Sequence, residues 1–131
     1  MPADADAEAP SLARPGGLSY LHIPASDPPG SARFYRSVFG WRIRDADSDS
    51  PAFADGTGHV IGHFVTDRPV VGDAGVRPYI YVEDVPATVA RIVANGGEIL
   101  ARPFAEGGLT VALFADPAGN VLGAWQFAAA S

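Results

Sequence analysis

Tyr20 and His22 stand two residues apart in an apolar stretch, and Arg77, Tyr79 and Tyr81 repeat that spacing in the second half of the chain. Alternate residues of an extended strand share a face, so each set is expected to present its side chains together. A neutral imidazole serves as a general base, and a phenol or guanidinium stabilises developing negative charge. The same groups suit binding: rings stack on a planar ligand, and Arg77 favours a carboxylate, enolate or phenolate on it. Parity adds Gly62 with Phe64 and Gly123 with Trp125. The glycines are expected to open room for a ligand, and Phe64 and Trp125 to extend an aromatic wall. An aromatic on a sheet face is as often plain core. The arginine and phenols weigh toward a site, because buried polar groups need partners.

The remaining histidines, His59 and His63, have parity opposite to Gly62 and are expected to face away from the site. No carboxylate falls at an identifiable in-facing position, and a divalent ion needs three or four convergent donors, so no metal and no cofactor is expected. The absence of cysteine excludes disulfides, thiolate metal sites and a cysteine nucleophile. A length of 131 residues, 47% of them hydrophobic, suffices for one folded domain. A net charge of −6 opposes phosphate backbones and anionic membrane surfaces, so no nucleic acid is expected as partner. No apolar run approaches the roughly 20 residues that span a bilayer, so no membrane partner is expected either. Residues 1–16 are rich in Ala, Asp, Glu and Pro and lack the basic and apolar regions of a secretory signal. They read as a disordered tail, with a cytoplasmic location by default.

Positioning these residues falls to a series of short elements. Leu18–Pro24 reads as a strand. Asp27 followed by Pro28-Pro29 caps a helix with an apolar face of Ala32, Phe34, Tyr35, Val38 and Phe39, which Gly40 ends. Trp41–Arg44, the stretch from Phe53, and His59–Val65 read as strands, the last two joined by a turn at 55–58. After a Pro- and Gly-bearing linker over 67–75 the pattern starts again. Pro78–Val82 is a strand, Asp84 caps a second helix that ends at Asn95-Gly96-Gly97, and Glu98–Phe104 is a strand. A loop over 105–108 leads to the strand Leu109–Ala115, and the turn Asp116-Pro-Ala-Gly-Asn120 leads to the last strand, Val121–Phe127. The order is βαβββ twice, with Gly58-His-Val-Ile-Gly62 answering Gly119-Asn-Val-Leu-Gly123. The expected fold is α+β: two βαβββ modules, about 17–66 and 76–128, forming one cupped mixed sheet in a single domain over 17–131. The equivalent first strands are expected to pair, bringing His22 near Tyr20 and Arg77.

Pro24-Ala-Ser-Asp27 with Ala32-Arg-Phe-Tyr35-Arg-Ser-Val-Phe-Gly-Trp41 resembles the first module of the vicinal oxygen chelate superfamily, which includes glyoxalases, bleomycin resistance proteins and extradiol dioxygenases. Tyr79-Ile-Tyr-Val-Glu-Asp84, Ala94-Asn-Gly-Gly97 and Asp116-Pro-Ala-Gly-Asn120 are similar to its second module, and the wording is nearest a branch related to lactoylglutathione lyase. Metal-using members place four His or Glu ligands on four strands. The resemblance carries those positions onto Tyr20, Gly62, Arg77 and Gly123. Glycine has no side-chain donor, arginine is a fixed cation, and tyrosine ligates only as phenolate. The resemblance thus implies a metal-independent protein that binds a small aromatic or anionic molecule in the cup, for resistance, sequestration or carriage. The alternatives are a metal-free isomerase, cyclase or lyase using His22 with Tyr20 and Arg77, and a metal-dependent lyase or dioxygenase. The expected partners are a small-molecule ligand and a second copy of the chain in a twofold homodimer.

Overall fold

A computed structural model describes residues 12–128, so the tail expected over 1–16 lies mostly outside the described residues. The chain divides into two compact units, Met1–Arg68 and Pro69–Ser131, with the same order of elements.

The first unit runs β1 (Tyr20–Pro24), α1 (Pro28–Phe39), β2 (Arg42–Arg44), β3 (Ala52–Ala54) and β4 (Ile61–Val65). The Asp27 carboxylate accepts from the Gly30 N–H at 3.3 Å, two prolines open the helix, and Gly40 closes it in the left-handed region at φ 72°. The sheet order is β1-β4-β3-β2, with β1 parallel to β4 and the other pairs antiparallel. One sheet face and α1 enclose an aromatic core. Tyr35 stacks on Trp41 at 4.5 Å between ring centres, Trp41 on Phe53 at 4.8 Å, and Phe64 lies 5.1 Å from Phe53 and 5.6 Å from Tyr35.

The second unit runs β5 (Tyr79–Tyr81), α2 (Val85–Ala94), β6 (Glu98–Glu106), β7 (Leu109–Ala115) and β8 (Val121–Phe127), in sheet order β5-β8-β7-β6. Asp84 caps α2 through the Ala87 N–H at 3.0 Å, and Val85, Thr88 and Ile92 are the buried side of that helix. The loop expected over 105–108 is shorter than that. Strand β6 continues to Glu106, which pairs with Leu109 across a two-residue turn, and Gly107 supplies the positive φ of 57° that so tight a reversal needs. Strand β1 pairs with β4 in the first unit and β5 with β8 in the second, each at the end of its own four-stranded sheet.

The Asp116 turn is held by one side chain. Asp116 is 3% exposed. Its Oδ1 accepts from the N–H groups of Ala118, Gly119 and Asn120 at 3.0, 3.0 and 2.9 Å, and its Oδ2 accepts from Asn120 Nδ2 at 2.9 Å. Asp116→Ala removes the side-chain acceptor of three backbone donors, of which the Gly119 N–H still has the Asp116 carbonyl oxygen at 2.9 Å. It is expected to cost about 2 kcal/mol by urea denaturation, and an unchanged midpoint would refute this account of the turn.

The internal repeat holds through the helices and up to the last hairpin of each unit, then slips. In the first unit Ala54 pairs with Ile61 across residues 55–60; in the second Ala115 pairs with Val121 across residues 116–120. The first loop is one residue longer. Gly62 is therefore not the structural counterpart of Gly123. His63 is: it pairs with His22 where Gly123 pairs with Tyr79.

Candidate functional site

Register assembles the open face of the first sheet, opposite α1. Residues paired across a ladder project to the same side. Tyr20, Ile61, Ala54 and Arg42 form one row across the four strands, and His22, His63, Ala52 and Arg44 form the next. Two alanines make a low floor between ring side chains on β1 and β4 and arginines on β2. The concavity over this floor encloses about 530 Å³, and its lining includes Tyr20, His63, Ala52, Ala54, Arg42 and Arg44.

The Tyr20 hydroxyl and His22 Nε2 are 3.3 Å apart, with the rings edge to face at 5.2 Å. The His63 ring centre lies 6.3 Å from that of Tyr20. His63 Nδ1 is 3.1 Å from the Ser50 carbonyl oxygen and 3.2 Å from Ser50 Oγ. A carbonyl only accepts, so Nδ1–H donates to it in the neutral ring and Nε2 is left as the acceptor.

Three sequence expectations change in this unit. His63, expected to face away, shares the face of Tyr20 and His22. Phe64, expected in the aromatic wall, is 0% exposed and packs into the core beneath the sheet. Gly62 faces the same core. A Cβ built on it would fall on the Leu21 carbonyl oxygen and lie 2.6 Å from the Phe53 ring, so this glycine permits close packing and does not open space. The physical reason is the longer hairpin loop, which inverts the facing of every β4 residue relative to a register aligned on the glycines. Arg42 and Arg44 were not singled out, although their alternate spacing on β2 was visible in the sequence.

In the second unit the expected parity agrees with the ladder. Tyr79 pairs with Gly123, and Tyr81 with Trp125, so these four share the face opposite α2. Tyr81 and Trp125 meet edge to face at 5.1 Å. Gly123 again opens no space, because the Tyr79 ring lies over its Cα. Arg77 precedes β5. Its guanidinium donates to the Tyr79 hydroxyl at 3.5 Å and forms an ion pair with Asp73. The Tyr79 hydrogen bond and then Asp73 raise the guanidinium pKa above its ordinary value, so Arg77 stays charged, and its Nε alone lacks a partner. Tyr20 and His22 thus belong to the first unit and Arg77 to the second.

The donor set among the described residues does not fit the superfamily's metal. Among the described residues no three His, Asp or Glu side chains gather closely enough to hold an ion, and the chain has no cysteine. Among the described residues no helix is long and apolar enough to cross a membrane.

A family model described as a glyoxalase-like domain matches residues 20–123. A glyoxylase-like domain-containing protein of Didymella fabae is 34% identical over 92 residues, 65% of this chain and 72% of that protein. CFP32 of Mycobacterium tuberculosis is 27% identical over 122 residues, covering 86% of this chain. The chain spans only 46% of CFP32. Among solved structures, TnmS3, an antibiotic binding protein from Streptomyces sp. CB03234, matches with a TM-score of 0.67. It is 22% identical, covering 86% of this chain and 97% of that one, a likeness of fold.

Proposed function

The chain belongs to the glyoxalase-like domain family, and on that premise we propose that it binds a small aromatic or anionic molecule without a metal, in a resistance, sequestration or carrier role. One observation carries this reading: the first unit holds a cavity of about 530 Å³ whose alanine floor lies between ring side chains and arginines. A low floor between polarised walls suits a flat ligand that stacks on rings and is oriented by charge. That no three His, Asp or Glu side chains converge among the described residues supports metal independence. TnmS3, of the same fold, is an antibiotic binding protein, which supports a small-molecule ligand. A cytoplasmic homodimer belongs to the same reading, and sedimentation of a species of monomer mass would remove the dimer from it.

The neutral dye N-phenyl-1-naphthylamine, which brightens on leaving water, tests the cavity. The protein should bind it, chelator should change neither the affinity nor the melting temperature, and Tyr20→Ala should weaken binding by roughly 3- to 10-fold, the scale of one lost ring contact. A stoichiometric metal whose removal abolishes binding would overturn the reading.

The Tyr20–His22 contact favours a second reading, a metal-free enzyme in which His22 moves a proton while Tyr20 orients it. Retention of dye binding in His22→Ala together with loss of a turnover present in the parent would favour the enzyme over the binding protein.

A further inference from the structure

Fifteen acidic residues face nine basic ones in this chain, and all nine basic residues are arginine. The lining of the first unit's cavity reverses that balance: it contains Arg36, Arg42 and Arg44 and no Asp or Glu. The three aspartates that follow β2 in the chain, Asp45, Asp47 and Asp49, are absent from it. Among the described residues Arg36 and Arg44 form no ion pair with a carboxylate. Arg42 and Arg44 are alternate residues of β2, so both rise from the face that carries the alanine floor. Arg36, in the last turn of α1, is in the cavity lining with them, as is Trp41.

We propose that this arginine edge receives the acid group of the ligand, so that the ligand of the cavity is a planar aromatic acid lying across Ala52 and Ala54 with its ring toward Tyr20 and His63. The inference rests on the reading of the cavity as a ligand site and adds the ligand's charge and its orientation. Strand spacing sets the scale. Strand β2 lies two ladder steps from β4, about 10 Å, and three from β1, about 14 Å. An anion on β2 therefore places a ring of one or two fused cycles over the alanines and against the aromatic wall. Two neighbouring guanidiniums present a forked donor array that matches a carboxylate, sulfonate or phosphate. Arg77, the cation the sequence suggested for this task, already holds Asp73 and Tyr79. An ion-paired guanidinium gains less from a second anion than Arg36 or Arg44, which hold no carboxylate among the described residues.

The test compares two dyes that differ by one sulfonate: 8-anilinonaphthalene-1-sulfonate and its neutral parent N-phenyl-1-naphthylamine. Each is titrated by fluorescence against the protein and against a variant carrying Arg42→Gln and Arg44→Gln. The expected result is a 10- to 100-fold loss of affinity for the sulfonate, the range for one or two charge-assisted hydrogen bonds, with the neutral dye unchanged within about twofold. Raising salt should weaken the sulfonate in the parent protein and hardly in the variant. Arg102→Gln, in the second unit, should change neither dye. If the double variant melts early, the single Arg44→Gln variant carries the test, with about a tenfold loss expected. Equal sulfonate affinity in parent and variant, with the neutral dye bound by both, would overturn the arginine assignment and leave the cavity standing as a ligand site. Failure of the parent to bind either dye would overturn both.

Discussion

Gly62→Ala is expected to destabilise the protein by about 3 kcal/mol, and Gly123→Ala by about 1 kcal/mol, although both replace a strand glycine with the smallest chiral residue. What each new methyl meets makes the difference. At Gly62 it falls on the Leu21 carbonyl oxygen, part of the backbone of β1, and against the Phe53 ring. Leu21 is the ladder partner of Gly62, so relief requires β1 and β4 to separate and their hydrogen bonds to lengthen. At Gly123 the nearest atoms the methyl meets are those of the Tyr79 ring, a 43% exposed side chain that can swing about its torsions at the cost of its 3.5 Å hydrogen bond from Arg77. Urea denaturation of the two variants beside the parent measures both numbers. Equal losses, or a larger loss at Gly123, would mean that Gly62 does not face the core of its unit.

Phe64→Ala is expected to cost about 4 kcal/mol of stability, within the range for emptying a fully enclosed aromatic site. Phe64 touches Tyr35 and Phe53, themselves buried in a close-packed aromatic core. The variant discriminates between the two faces of β4. A residue lining the cavity would, on truncation, change dye affinity and barely change stability. A residue beneath the sheet does the reverse. The expected pair of results is therefore a large fall in the denaturation midpoint with naphthylamine affinity unchanged in the folded fraction. A stability loss under about 1 kcal/mol with altered dye affinity would restore Phe64 to the ligand wall.

Much of this molecule was legible from local sequence, because the forces involved act over a few residues. The helix starts at Asp27 and Asp84 are side-chain acceptors three residues from the amides they cap, and Gly40 sits where only a left-handed residue closes the turn. The turn at 116–120 depends on one aspartate reaching its own following N–H groups. Strands Leu109–Ala115 and Val121–Phe127 match their expected bounds to the residue, and the twofold βαβββ order, with the family it implies, followed from these landmarks. The sharing of one face by Tyr79, Tyr81, Gly123 and Trp125 was legible for the same reason: alternation along a strand is local geometry.

The tertiary structure decided which face. Period-two alternation groups the residues of β4 into two sets and is indifferent to which set meets the helix; the ladder hydrogen bonds are equally good either way. One added residue in the loop over 55–60 shifts the register, and the burial of Phe53 and Phe64 against Tyr35 and Trp41 then selects the arrangement that brings His63 and not Gly62 to the open side. The pairing of Arg77 with Asp73, and the convergence of Arg36, Arg42 and Arg44 on one cavity, likewise depend on where loops and a helix end arrive in space. Local sequence assigns residues to strands and to sets; only packing of the whole unit chooses the set that meets the ligand, because burial is a property of neighbours distant in the chain.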